Sequence, residues 1–313
     1  MRNHIVSVVG GSGFLGRYVV HALADAGYTV RVLTRHPSQA EFLRPAGDVG
    51  QIVPDYADIT KPDTLRKKLK GSYAVVNLVG VLTESGRQTF QNVQAEGAKQ
   101  LAESAKEAGV KRFVQVSALG IDHALPSRYA RSKRLGEDAV LSMYPDAIIM
   151  RPSIIFGAED EFFNKFARMA ILSPALPLIG DGKTKFQPVY VDDVAHAITA
   201  TLQDPAAKGI YELGGPDVYR FEELMEYILR VTKRNRLLVH IPFSAASLIG
   251  RFTSLLPNPP LTADQVRLLK YDNVVSGEYP GLDALGIVPQ TVDMIVPQYL
   301  AHWRAKNASD IAA

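Results

Sequence analysis

The chain has no cysteine among its 313 residues. That excludes disulfides, thiolate metal ligands and a cysteine nucleophile, and it fits a reducing compartment. Charge of one sign is also scarce. The net charge is +3, too small to argue for nucleic acid. The basic clusters Arg66-Lys67-Lys68 and Lys233-Arg234-Asn235-Arg236 read as solvated helix ends. No apolar run reaches the 18 residues of a membrane-crossing helix. The seven histidines show neither H-x-x-x-H nor H-E-x-x-H spacing, so no metal site is expected. The N-terminus runs directly into an apolar segment, which leaves no room for a cleaved signal peptide. These absences describe a cytoplasmic protein, or one held peripherally at the inner face of a membrane. What remains, 47% apolar and 21% charged, is the composition of a globular enzyme with a sizeable core.

The strongest positive signal lies at the start. His4-Ile5-Val6-Ser7-Val8-Val9 is a β-branched apolar run. It leads into Gly10-Gly11-Ser12-Gly13-Phe14-Leu15-Gly16, and an amphipathic helix follows. Strand, glycine turn and helix in this order form a dinucleotide-binding fingerprint. In this reading Gly11 permits the tight turn, Gly13 lets the backbone approach a pyrophosphate, and Gly16 lets helix and strand pack closely. The helix N-terminus offers free N–H groups and partial positive charge to phosphates.

Strand and helix patterns then alternate. Strands are predicted over 4–9, 28–34, 51–54, 73–80, 112–117 and 146–150. Helices are predicted over 14–26, 37–43, 61–70, 88–108 and 126–143. The pattern implies an α/β fold, a doubly wound parallel Rossmann sheet whose ligands sit at the carboxyl ends of the strands. Beyond residue 150 the alternation breaks and proline becomes frequent. The expected organisation is a dinucleotide-binding domain over 1–150, completed by 186–213. A smaller, mainly helical C-terminal lobe would comprise 151–185 and 214–313. The apolar stretch 241–260 reads as a buried helix of that lobe, with a membrane- or partner-facing helix as the alternative.

The nucleotide is read from the end of the second strand. Thr34 is followed by Arg35-His36, and no acid occurs before Glu41. A carboxylate there would take an NAD ribose hydroxyl, whereas Arg35 can hold a 2′-phosphate bidentately. NADP(H) is therefore favoured over NAD(H), with Thr34 and Arg17 assisting. A merely solvated Arg35 would leave the choice open. Asp58-Ile59 falls where an adenine edge would lie, and Asp58 reads equally well as an adenine ligand or as a helix N-cap. Val79 and Gly80, after the fourth strand, would let the backbone pass close to the cofactor ribose.

Tyr129 and Lys133 stand at i and i+4, on one face of a helix. The spacing alone carries little. Its position, opening the helix after the fifth strand, carries more. A neighbouring ammonium is expected to lower the phenol's pKa and so equip it for proton transfer. Ser117, at the carboxyl edge of that strand, could hydrogen-bond a substrate oxygen.

Together these features resemble the short-chain dehydrogenase/reductases, with a second lobe similar to the extended and atypical branches. The resemblance rests on the glycine turn, Asn77-Leu78-Val79-Gly80, Asn92-Val93-x-x-x-Gly97, Ser117, Tyr129-x-x-x-Lys133 and Arg151-Pro152-Ser153. It implies that Ser117 orients substrate, Tyr129 is the acid/base and Lys133 holds the nicotinamide ribose. Arg151, Pro152 and Ser153 would border the nicotinamide. A narrower likeness runs through Arg131-Ser132-Lys133-x-x-Gly136-Glu137, Tyr211-Glu212-Leu213-Gly214-Gly215-Pro216 and Leu269-Lys270-x-Asp272-Asn273-Val274-Val275. It is similar to the nucleotide-binding accessory subunits of mitochondrial NADH:ubiquinone oxidoreductase and their bacterial relatives. That family implies NADPH held without turnover, as part of a respiratory assembly. This chain keeps the Tyr/Lys pair that mitochondrial members often lack. It departs from extended members in Ala118 and in the short Ser117–Tyr129 segment.

Three functions follow. The first is an NADP(H)-dependent reductase or dehydrogenase acting on a carbonyl or alcohol small molecule. The second is a non-catalytic NADPH-binding subunit or assembly factor of a respiratory complex. The third is an NAD-dependent nucleotide-sugar epimerase or dehydratase, against which Arg35 argues.

Overall fold

The structure is a computed structural model that describes residues 4–254, 259 and 261–305. It divides into two compact units. The first comprises Met1–Pro152, Val191–Leu213 and Ser276–Val288; the second comprises Ser153–Tyr190, Gly214–Val275 and Pro289–Ala313.

The first unit is built on seven parallel strands. They are β1 (Ile5–Val9), β2 (Thr29–Thr34), β3 (Ile52–Tyr56), β4 (Ser72–Asn77), β5 (Arg112–Val116), β6 (Ile148–Pro152) and β7 (Gly209–Leu213). Five helices connect them: α1 (Phe14–Asp25), α2 (Pro62–Leu69), α3 (Gly97–Glu107), α4 (Arg128–Met143) and α5 (Val191–Gln203). The strand order is β7-β6-β5-β4-β1-β2-β3. The direction of winding reverses between β1 and β4, which opens a crevice at their carboxyl ends. Val6, Val8, Val30, Val32, Val75 and Val76 are fully buried, as strands covered on both faces require. One layer of the core joins Val9, Leu33, Val75, Phe113 and Ile149 to Leu65, Leu101 and Val140 from α2, α3 and α4. Helix α1 packs against α5.

Two predicted helices differ in kind. Residues 37–46 form a 3₁₀ segment, with Pro45 in its last turn. The 88–108 helix divides into a π-helical turn, Gln91–Glu96, followed by α3. A Cβ on Gly136 of α4 would lie 2.4 Å from the Gln94 carbonyl oxygen, so the glycine lets α4 cross directly over the widened turn.

In the second unit, helices Phe163–Leu172, Phe221–Val231, Phe243–Thr253, Ala263–Leu268 and Val292–Leu300 combine with short strand pairs. Its core is aromatic: Phe156, Phe163, Phe186, Phe221 and Tyr227 pack together with Leu176 and Leu178. The unit boundaries depart from the sequence expectation in two places. Residues 186–190 belong to the second unit, because Val189–Tyr190 pairs with Ile155–Phe156. Residues 276–288 belong to the first. There the buried Glu212 carboxylate accepts the Ser276 N–H at 2.6 Å and its hydroxyl at 2.8 Å, while the Glu212 N–H donates to the Pro280 carbonyl. The family-like tail Asp272-Asn273-Val274-Val275 is a strap within the second unit. Asp272 accepts the Lys185 N–H, Asn273 accepts the Ser153 hydroxyl at 2.7 Å, and Gln187 accepts the Val275 N–H.

Candidate functional site

The glycine turn follows β1 at the switch point. Gly10, at φ +85°, adopts the left-handed conformation, so it is Gly10 rather than Gly11 that makes the tight turn. Packing fixes Gly11 instead, since a Cβ there would meet Val32, Val8 and Val20 at 3.0–3.2 Å. At Gly16 a Cβ would lie 2.4 Å from the Gly10 carbonyl oxygen, so only glycine permits this approach of helix to turn. Gly13 differs: its Cβ would have one neighbour, the Gly10 oxygen, at 3.4 Å. Gly13 is also the N-cap of α1, which has no side-chain cap and no acid in its first turn. The open side of Gly13 and the uncapped N–H groups beyond it, Phe14 and Leu15 among them, form an anion cradle. The residues present therefore fit a dinucleotide pyrophosphate.

The flanking positions are less uniform. Ser12 Oγ lies 3.1 Å from Thr34 Oγ1 and ties the turn to the end of β2. Arg35 is exposed. The Arg17 guanidinium lies over the Phe42 ring, 5.2 Å from its centroid. Asp58 is not a helix N-cap, a position that Lys61 takes in α2. Its Oδ1 accepts the Thr60 N–H and hydroxyl, closing a local turn. Ile59 is buried. On β4, Asn77 donates to Gln115 and accepts the Val79 N–H, which fixes the path of the chain into Gly80. A Cβ on Gly80 would lie 3.1 Å from Lys133 Nζ.

The fold thus brings Lys133 to the Val79–Gly80 corner. Ser127 caps α4 by accepting the Ala130 N–H at 3.2 Å, which sets Tyr129 and Lys133 in the first turns. Lys133 is buried. Its ammonium donates to the Val116 carbonyl at 3.3 Å and lies 6.0 Å from the Tyr129 ring centroid. Ser117, immediately after Val116, is buried, and its hydroxyl has no hydrogen-bond partner among the described residues. A buried hydroxyl in that state is costly, and a substrate oxygen is the kind of group that would satisfy it.

The protonation pattern corrects one expectation. Burial pushes the Tyr129 phenol up to about 12 rather than down, and burial lowers Lys133 to about 8 against the opposing charge of Glu137. The ammonium is engaged with the Val116 carbonyl, and in this environment desolvation outweighs its attraction for a phenolate. Near neutral pH the pair is therefore a protonated phenol beside an ammonium.

From sequence, Gln94 and Glu137 have no assigned role, and Arg151 is placed only beside the nicotinamide. Gln94, on the π-turn, accepts the Ser132 hydroxyl at 2.6 Å and donates to the Val81 carbonyl at 2.8 Å. One amide thus fixes α4 to the loop after β4. Glu137 and Arg151 form a buried bidentate pair at 2.9 and 2.6 Å, and Arg151 also bonds Asp122 at 2.7 Å. This pair locks α4 to β6. The available signal was Gly136-Glu137 at fixed distance from Lys133. Pro152 ends β6 and its carbonyl accepts the Leu119 N–H, whereas Ser153 begins the second unit with its hydroxyl bound to Asn273. Among the described residues no cluster of three acids or histidines is arranged to hold a metal ion, and no helix is long and apolar enough to cross a membrane.

Sheet order and the glycine turn at the switch point define a Rossmann fold of the NAD(P)-binding type. The chain belongs to the NAD dependent epimerase/dehydratase family, whose model matches residues 6–214. It is 36% identical over 313 residues to NADH dehydrogenase (ubiquinone) 1 alpha subcomplex subunit 9, mitochondrial, of Arabidopsis thaliana, covering 96% of this chain and 78% of that protein. It is 31% identical over 261 residues to a ceramide reductase of Caulobacter vibrioides, covering 82% and 80%. Among solved structures, an NADPH-dependent quinone oxidoreductase from Escherichia coli complexed with NADPH superposes with a TM-score of 0.75 at 18% identity. That match covers 95% of this chain and 99% of that one, and it concerns the fold alone.

Proposed function

We propose that the chain is an NADP(H)-dependent reductase of a carbonyl-bearing small molecule. The observation that carries this reading is the corner itself: an unsatisfied buried Ser117 hydroxyl, a protonated Tyr129 phenol and the Lys133 ammonium beside Gly80. The glycine turn, with Gly13 open, would hold the pyrophosphate, and Lys133 with Val79–Gly80 would hold the nicotinamide ribose. Asp58 and Ile59 would flank the adenine, Pro152 and Ser153 the nicotinamide. The bound nucleotide would supply a hydride to the carbonyl carbon. Ser117 orients the carbonyl oxygen through its hydroxyl. Tyr129 donates its phenolic proton to that oxygen as negative charge develops, and the Lys133 charge stabilises the phenolate left behind. A phenol held at about 12 stays protonated at neutral pH, which suits a proton donor and hence the reducing direction. Preference for NADP(H) rests on the exposed Arg35 and the absence of an acid after β2.

A second reading is an NADPH-holding subunit or assembly factor of a respiratory complex, favoured by the Arabidopsis relative's name. Nucleotide exchange separates the two. NADPH that exchanges within seconds, with turnover on a quinone or ceramide-type carbonyl that Tyr129→Phe abolishes, supports the reductase. NADPH retained for hours, with no oxidation by either substrate class and a co-purifying assembly, overturns it in favour of the subunit.

A further inference from the structure

The helix Phe243–Thr253 is amphipathic in reverse. Its buried side consists of Ala246 and Gly250, and a Cβ on Gly250 would lie 2.7 Å from the Ala263 nitrogen of the neighbouring helix. Its bulky residues face outward: Leu248, Ile249 and Phe252 are 58%, 44% and 67% exposed. With Ala245 they follow the i, i+3, i+4, i+7 spacing of one continuous stripe. A helix of a soluble fold places such a stripe inward; here the small core of Ile179, Ala246 and Val266 leaves it outside. The strand Leu237–Ile241, which runs into this helix, repeats the pattern with Leu237 and Val239 exposed.

The stretch of sequence that carries the stripe is one-sided in charge. From Lys233 to Tyr271 there are six basic residues (Lys233, Arg234, Arg236, Arg251, Arg267, Lys270) and one acid, Asp264, in a chain whose net charge is only +3. That acid is buried and paired with Arg267 at 3.2 Å. Arg251 borders the stripe on the same helix, and the Lys270 ammonium lies 5.4 Å from the Phe243 ring centroid at the helix's start. An exposed Leu/Ile/Phe stripe flanked by Arg251 and, at the helix's start, by Lys270 complements acyl chains beneath anionic headgroups. We propose that this helix docks on an anionic lipid surface, with Leu248, Ile249 and Phe252 entering the headgroup–acyl boundary and Arg251 paired to lipid phosphates. The surface lies wholly within the second unit and is independent of the nucleotide reading.

The test is flotation of the full chain with vesicles of phosphatidylcholine alone or mixed with phosphatidylglycerol. The expected result is binding to the mixed vesicles at least about tenfold tighter than to pure phosphatidylcholine, weakened by added salt. Phe252→Ser should lower that affinity about tenfold and Arg251→Ala about fivefold, with melting temperatures unchanged because both side chains are exposed. The proposal is overturned by equal binding to the two vesicle types, by no binding to either, or by variants that bind as the wild type does. It is equally overturned if the chain binds only native membranes and loses them after protease stripping, which would mark a protein partner.

Discussion

At the residue scale the site is a contest between burial and charge. Tyr129 and Lys133 are both shifted toward their neutral forms. The functional consequence is that an ammonium is present below about pH 8 and absent above it, so reductase turnover should fall as pH rises through that value. The stability consequence has its own sign. Lys133's folded pKa lies below its unfolded one, so between about pH 8 and about 10.4 the unfolded state binds more protons. Its burial therefore costs least at the alkaline end. Urea midpoints should show the difference between wild type and Lys133→Met shifting in favour of the wild type as pH rises through this window. Tyr129→Phe removes the proposed proton donor and keeps the ring. It should reduce turnover by roughly 10² to 10⁴ while the NADPH dissociation constant changes by less than about twofold, as tracked by nicotinamide fluorescence. Arg35→Ala should cost NADPH about 1–2 kcal/mol of affinity and leave NADH nearly unchanged; equal loss for both nucleotides would remove Arg35 from the 2′-phosphate site.

At the element scale the decisive contacts hold α4 in place. The Arg151–Glu137 pair is almost fully buried, and Glu137→Gln leaves a guanidinium without its bidentate partner. A loss of about 3–5 kcal/mol is expected, measured by chemical denaturation. Much of this level was legible beforehand. Strands and helices of the first unit fall close to their predicted positions, because β-branched runs buried on both faces, and the left-handed glycines Gly27 and Gly109 just past α1 and α3, leave little choice. The π-turn at Gln91–Glu96 was not legible: it lies where Gly136 crosses over Gln94, a contact between residues far apart in sequence. Positive φ at Gly10 rather than Gly11 was hidden for a similar reason, since either glycine can turn and the packing of Val8, Val20 and Val32 decides between them. The phenol's direction of shift was misjudged because i, i+4 spacing reports proximity but not desolvation.

At the scale of the whole molecule, the nucleotide is expected to act as a folding ligand. If NADPH binds the native first unit alone, a hundredfold excess over its dissociation constant should add about 2.7 kcal/mol of stability, seen as a raised melting temperature. Gly13→Ala should melt as the wild type does without nucleotide, since its Cβ has room, yet lose most of that gain. The same melts done with NADH give the preference at this scale without requiring a substrate.

The order in which the sheet unit is written along the chain has a further consequence. Its third piece, Ser276–Val288, follows a long excursion through the second unit, and among the described residues it supplies the donors for the buried Glu212 carboxylate. On the ribosome, the Rossmann sheet therefore cannot reach its final hydrogen bonding until the intervening stretch of the second unit, Gly214–Val275, has emerged. Until then the β7 edge carries a carboxylate built for burial and still without its partners, which gives chaperones a defined interval in which to act.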